Sequence, residues 1–247
     1  MSYTTLSQQT GISRTGISHH FPKKTDFTAA LDGRIFKMFI TLLAACGRGV
    51  PEGAEVVVAG DSVMAWNRSS GASVADQLEA RLGAPVGDVS LPLAQVRGGT
   101  GPLNIPNQLA GLSPEWVVLN GGANDLSVGC DCNDCEATLD RLISADGTRG
   151  AIPALVSDLR ARGSQVVWAD YYTSPRYAGT DCEGPYRMLE TRLGAMAARD
   201  AGVSLVDMDR VFSPDDLSLF ARDRLHPSET GSARIADLIA PVLQTTP

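Results

Sequence analysis

The chain has no apolar run near the roughly 20 residues that a helix needs to cross a bilayer, which excludes a polytopic membrane protein. It also lacks extremes of composition: of its 247 residues, 43% are hydrophobic, 20% are charged and 6% are aromatic. Values this close to the globular average exclude wholesale disorder, collagen and a coiled coil. Acidic residues outnumber basic ones, and the formal net charge of −7 argues against nucleic acid as the main partner of the whole chain.

Lysine and histidine are scarce, and most of both lie near the amino terminus. The first 37 residues hold every lysine and carry five basic and two acidic side chains, for a charge of +3. The remainder has 16 arginines and 26 acidic residues, for a charge of −10. This asymmetry predicts two unlike pieces. We expect residues 1–40 to be a short helical segment, 41–53 a junction and 54–247 the main domain.

Helix-boundary signals mark the first piece: Gly11 suits the position after a helix, and Ser13 suits the N-cap of the next. Residues 6–31 resemble the helix-turn-helix of TetR-type repressors, in a truncated form without the family's first helix. The positions that match the DNA-contacting part of that family are Arg14, Thr15, His19, His20 and Lys23. We favour a remnant too small to fold alone over the alternative, a DNA-binding regulator.

A short apolar stretch, residues 38–45, leads to Cys46. The tetrapeptide Leu43-Ala44-Ala45-Cys46 resembles a bacterial lipobox, in which the cysteine receives a lipid and the preceding segment is removed. This interpretation predicts a lipid anchor through Cys46 and a location at the bacterial cell envelope or in the periplasm. The alternative is a helix that continues from the first piece, in which case we expect a cytoplasmic protein.

Short apolar runs alternate with segments of helical spacing in the main domain. The runs are residues 54–59, 86–90, 116–120, 165–169 and 204–207, and the helical segments are 74–82, 135–142, 152–162, 187–201 and 229–243. Each run is short and almost continuously apolar, as in strands that are covered on both faces. The pattern predicts a three-layer α/β/α sandwich with a five-stranded, mainly parallel sheet, whose ligands bind beyond the carboxyl ends of the strands.

Polar motifs follow the first and third apolar runs and precede the last helical segment. They are Gly60-Asp61-Ser62, Gly121-Gly122-Ala123-Asn124-Asp125 and Asp223-Arg224-Leu225-His226-Pro227. In this order they resemble blocks I, III and V of the SGNH, or GDSL, hydrolase superfamily. The resemblance implies a flavodoxin-like fold and ester hydrolysis by a serine nucleophile, with no metal or organic cofactor.

The chemistry of Ser62, Asp223 and His226 supports a catalytic triad. A serine hydroxyl is a poor nucleophile until a base removes its proton, and His226 is the only histidine of residues 54–247. Asp223 lies three residues earlier, from where its carboxylate can accept the other ring N–H and hold the imidazole in the required tautomer. We expect Asp61 and Asp125 to bond to loop backbone instead.

The backbone N–H of Ser62 and the side-chain amide of Asn124 are the expected donors to an oxyanion. The resemblance implies a third donor, a glycine N–H in the loop after the second strand, but Leu93 stands at that position. Because a leucine side chain restricts φ and fills space, Leu93 is a doubtful donor. Gly98 is the candidate substitute if the loop is longer than usual.

Four cysteines remain once Cys46 is assigned to lipidation: Cys130, Cys132, Cys135 and Cys182. An even number in an exported protein predicts two disulfides, with three possible pairings. A Cys₄ zinc site is the rival interpretation. The C-x-C-x₂-C spacing is not a standard zinc arrangement, so we expect disulfides and no metal.

The expected activity is that of a serine esterase whose partner is a small-molecule ester: a short or medium acyl ester, a lysophospholipid or an acetyl ester. An acyltransferase with the same acyl-enzyme is the alternative. We expect residues 96–108 and the cysteine loop to form the acyl pocket. Its apolar lining is predicted to consist of Leu93, Leu103, Ile105 and Trp66.

Overall fold

The computed structural model describes residues 49–130 and 132–245. The helix-turn-helix-like segment and the lipobox-like Cys46 lie outside these residues, so the expectations about DNA and a lipid anchor stay predictions. Within the described residues, no helix is both long enough and apolar enough to span a bilayer.

Five strands form one sheet in which every pair of neighbours is parallel. Their bounds are β1 Val56–Ala59, β2 Val86–Asp88, β3 Trp116–Leu119, β4 Gln165–Ala169 and β5 Val203–Val206. The order across the sheet is β2-β1-β3-β4-β5, which is the doubly wound, flavodoxin-like order. The predicted α/β/α sandwich is confirmed, and all five strands lie within two residues of the predicted runs.

Eight α-helices occur in the described residues. They are α1 Ser62–Ala65, α2 Val74–Leu82, α3 Ile105–Gln108, α4 Ala123–Gly129, α5 Glu136–Leu142, α6 Ala151–Ala161, α7 Glu183–Ala197 and α8 Glu229–Leu243. Helix α7 begins four residues before the predicted start, because Pro185 falls in the first turn, where the missing N–H costs no helical hydrogen bond.

The sheet is covered on both faces. Helices α2 and α8 pack against each other, while α5 contacts both α6 and α7. Right-handed crossovers place these two groups on opposite sides of the sheet. The valine pairs at the centres of β1, β3 and β4 are fully buried, as expected for strands with helices on both faces.

Two disulfides pin the loops at the carboxyl edge of the sheet. Cys130 is bonded to Cys135, and Cys132 is bonded to Cys182 at the start of α7. The predicted disulfides are therefore present, and one of the three pairings is selected. The second bridge joins residues 50 positions apart, a constraint worth about 4 kcal/mol in the chain-entropy estimate.

Candidate active site

Ser62 stands on a sharp turn between β1 and α1. Gly60 has φ of +124°, and a Cβ there would collide with the side chain of Asn120, so the turn requires glycine. Asp61 caps α1 by accepting the Val63 N–H at 3.0 Å. The Ser62 N–H donates to no atom of the described residues, which leaves it available at the start of the helix.

His226 reaches Ser62 from the loop before α8. Its Nε2 lies 2.8 Å from Ser62 Oγ, and its Nδ1 lies 2.6 Å from Asp223 Oδ2. The other oxygen of Asp223 accepts the backbone N–H groups of Leu225 and His226 at 3.0 Å each. One continuous line of hydrogen bonds therefore joins Asp223, His226 and Ser62, although Ser62 and His226 are 164 positions apart in the chain.

Asp223 is held in its ionised form. Burial raises the pKa of its carboxyl group, but the hydrogen bond and charge of His226, with the two backbone N–H groups, outweigh burial and hold that pKa well below its ordinary value. An ionised carboxylate accepts hydrogen bonds only, so Nδ1 of His226 is the donor to Asp223. With that proton on Nδ1, the Nε2 of a neutral imidazole is the acceptor that faces Ser62.

Trp66 stacks on the ring of His226, with ring centroids 3.7 Å apart and an interplanar angle of 6°. The next residue, Asn67, donates from Nδ2 to the Pro227 carbonyl at 3.1 Å and to Ser232 Oγ at 3.0 Å. The turn after α1 thus holds the histidine loop in place. The prediction that Trp66 lines an acyl pocket is wrong, since its indole covers the imidazole instead.

Asn124 and Leu93 approach the same cavity as Ser62. The Asn124 Nδ2 donates one hydrogen to the Ala94 carbonyl at 2.9 Å, which orients the amide. Leu93 adopts the left-handed conformation expected of a glycine, with φ of +67°, and its N–H has no acceptor among the described residues. Such a conformation costs a non-glycine residue roughly 1–3 kcal/mol, so the surrounding structure imposes it.

Gly98 is not available as the substitute donor. Its N–H points to Asp125 Oδ1 at 3.3 Å, and Gly98 does not line the cavity beside Ser62. The carboxylate of Asp125 also accepts the N–H groups of Val96 and Arg97 at 2.8 Å each. Asp125 therefore holds the loop backbone, as expected, and this is the reason why Gly98 faces away.

A buried network under Ser62 was not foreseen from the sequence. Tyr171 donates its hydroxyl to Asp61 Oδ2 at 2.5 Å and accepts the Ala123 N–H at 3.3 Å, so one hydroxyl joins the loops that carry Ser62 and Asn124. Asn120 donates to Asp61 Oδ1 at 2.8 Å. Burial raises the pKa of Asp61 against these hydrogen bonds. The one sequence feature that could have pointed to Tyr171 is its position just after β4, at the carboxyl edge of the sheet where Ser62 also lies.

The cavity beside Ser62 and His226 has different walls from those predicted. Among the described residues, none of 96–108 lines it, because Leu103 and Ile105 are buried in the core and Gln108 bonds to Gly60. The actual walls are α4, residues 171–177 after β4, and the first turns of α7. Of the four predicted lining residues only Leu93 contributes.

Solved structures with the same fold include several ester hydrolases. The structure titled TesA is 20% identical, with a TM-score of 0.55, and the match covers 76% of this chain and 97% of that one. A GDSL-like lipase from Bacteroides thetaiotaomicron VPI-5482 is 17% identical, with 85% and 97% covered and a TM-score of 0.56.

A family two carbohydrate esterase from Clostridium thermocellum, solved with cellohexaose, is 16% identical, with 80% and 65% covered and a TM-score of 0.53. A search of curated protein sequences found no match. Residues 58–234, well over half of the chain, match the GDSL-like Lipase/Acylhydrolase family. The protein belongs to that family and is a hydrolase that acts on esters.

Proposed function

We propose that the protein is a serine esterase that works through an acyl-enzyme on Ser62. The observation that carries this proposal is the unbroken line of hydrogen bonds from Asp223 through His226 to Ser62, with distances of 2.6 and 2.8 Å. This geometry supplies both the base that activates the hydroxyl and the carboxylate that orients the base. Residues 54–247 form the hydrolase domain in this proposal.

In the first half-reaction, Ser62 Oγ attacks the ester carbonyl carbon while its proton moves to His226 Nε2. The negative oxygen of the tetrahedral intermediate accepts hydrogen bonds from the Ser62 N–H, the Leu93 N–H and Asn124 Nδ2. Each such donor is typically worth about 3 kcal/mol of barrier. The C–O bond to the alcohol then breaks, and His226 gives its proton to the departing oxygen.

In the second half-reaction, water attacks the acyl-Ser62 carbonyl and His226 accepts the proton of that water. A second tetrahedral intermediate forms in the same oxyanion hole. Its collapse breaks the bond to Ser62 Oγ, which regains its proton from His226, and the carboxylic acid leaves. The asparagine and the two backbone donors stay in place throughout, so no reorganisation accompanies the change of charge.

Trp66 is proposed to stabilise the imidazolium that His226 becomes during each half-reaction. A base that accepts the Ser62 proton gains its positive charge in that step, so a cation–π contribution acts on the transition state more than on the ground state. We expect Trp66→Leu to lower kcat/KM by roughly 10-fold and Trp66→Phe, which keeps an aromatic face, to lose roughly 3-fold or less. Steady-state kinetics on p-nitrophenyl acetate tests this, and equal losses in the two variants would contradict it.

Covalent labelling tests the acyl-enzyme proposal directly. A fluorophosphonate probe should label the protein at one site, and peptide mass spectrometry should locate the label on Ser62. Ser62→Ala should take up no label, and His226→Ala should react much more slowly, because the hydroxyl then lacks its base. Labelling at another serine, or undiminished labelling of Ser62→Ala, would reject the proposal.

The two disulfides support a location outside the cytoplasm, where thiols are oxidised. The lipobox-like segment ending at Cys46 is the proposed route to the cell envelope. The acyl substrates that this proposal allows are short or medium acyl esters, lysophospholipids and acetyl esters.

A further inference from the structure

Aromatic rings form much of the cavity beyond Ser62. The rings of Tyr171 and Tyr186 meet edge to face with centroids 5.8 Å apart, and Tyr177 stacks on Tyr186 at 5.5 Å. Tyr172 also lines the cavity. The hydroxyls of Tyr171 and Tyr172 are bonded to Asp61 and to the Leu225 carbonyl. One face of the Tyr172 ring is stacked on Phe212 at 4.0 Å, so only the rest of that ring can meet a substrate.

Acidic side chains outnumber basic ones at the α7 side of the same cavity. Glu183, Arg187 and Glu190 line it, and Arg187 is already paired with Glu183 at 2.8 Å. Burial raises the pKa of Glu190 to about 8, and the charges of Asp170 and Asp209 add to the rise. The pKa of Asp170 is raised to about 7, first by burial. Burial is the first cause of both shifts, so Glu190 carries its negative charge only above about pH 8.

Ser174 gives an independent sign of a missing polar partner. It lines the cavity, its side chain is buried with 2% exposed, and its hydroxyl has no hydrogen-bond partner among the described residues. Buried hydroxyls are normally satisfied, so this unpartnered one points to a polar group of a ligand in the cavity, such as an ester oxygen.

We propose that this cavity selects esters that carry a positively charged nitrogen near the scissile bond. Tyrosine rings attract a cation through their quadrupoles, and the Glu190 carboxylate, once ionised, supplies the opposite charge. The same charges disfavour esters with a phosphate or carboxylate at that place. The inference rests on the proposed ester hydrolysis and names its substrate class.

A matched pair of thioesters tests the charge alone. Acetylthiocholine and 3,3-dimethylbutyl thioacetate have the same shape, but a quaternary nitrogen in the first is a carbon atom in the second. We expect the full-length protein to hydrolyse the cationic thioester with kcat/KM on the order of 10-fold higher, measured by thiol release at low salt and at about pH 9, where Glu190 is ionised. Glu190→Gln should bring that ratio close to one.

Glu115→Gln is the matched control, because it removes the same charge from an exposed residue at the opposite, amino-terminal edge of the sheet. It should leave the cationic-to-neutral ratio unchanged. A wild-type ratio of one or less, or the same ratio in Glu190→Gln as in Glu115→Gln, overturns the inference. Hydrolysis of p-nitrophenyl acetate without hydrolysis of the cationic thioester also overturns it, while the esterase proposal stands. If no ester is cleaved faster than by Ser62→Ala, both proposals fail.

Discussion

Ser62→Ala is expected to lower kcat/KM for p-nitrophenyl acetate by about 10⁴- to 10⁶-fold, which is the range that loss of a serine nucleophile produces in enzymes of this type. Ser62 Oγ is the atom proposed to form the acyl bond, and it lies 2.8 Å from His226 Nε2. The residual rate should come from binding and from the oxyanion donors, which the substitution leaves in place.

Ser127→Ala is the control for this variant, because Ser127 lines the same cavity but lies outside the proposed triad. It should keep wild-type kinetics within a few-fold. Circular dichroism of both variants checks that each is folded. Activity of Ser62→Ala within 100-fold of the wild type would refute the proposed mechanism.

Asp223→Asn is expected to lower kcat by about 10³- to 10⁴-fold with little change in KM. An asparagine oxygen can still accept the Leu225 and His226 N–H groups, so the turn is retained. The amide NH₂ would then face Nδ1 of His226, which favours the tautomer with the proton on Nε2 and leaves Ser62 without a base.

The pH dependence of kcat distinguishes the tautomer change in Asp223→Asn from a loss of activity caused by protonation of Asp223. Because the pKa of the native carboxyl lies well below its ordinary value, Asp223 stays ionised throughout an assay between about pH 5 and 9, and it should not set the acid limb of the profile. The loss in Asp223→Asn should therefore persist at every pH in that range. Asp216→Asn is an equal charge change at the exposed N-cap of the short 3₁₀ helix Leu217–Leu219, and it should leave kcat unchanged. A variant rescued by raising the pH would contradict this account.

Much of the site was predictable because its motifs stand at strand ends. Gly60, Asp61 and Ser62 follow an unmistakable buried strand, and parallel strands bring their carboxyl ends to one edge of the sheet. His226 could be proposed as the base because residues 54–247 contain no competing histidine. The predictions for Ser62 and His226 required no interatomic distances, because the residue types and their places in the predicted fold were sufficient.

The environment of these residues was not predictable in the same way. The contact of Tyr171 with Asp61 spans 110 positions, and a tyrosine after a strand does not by itself indicate which loop it will reach. The stacking of Trp66 on His226 depends on how the turn after α1 meets the loop before α8. A large apolar side chain near Ser62 suits a pocket wall, but it packs equally well on an imidazole ring, as Trp66 does on His226.

Local chemistry was thus enough to specify the strand-and-helix alternation, the parallel sheet and the three residues of the proposed triad, because each depends on short-range pattern and on sheet topology. The disulfide pairing, the left-handed Leu93 and the walls of the cavity depended on the packed chain. These three features depend on how the loops at the carboxyl edge of the sheet pack against one another. That packing is determined by contacts between residues far apart in sequence.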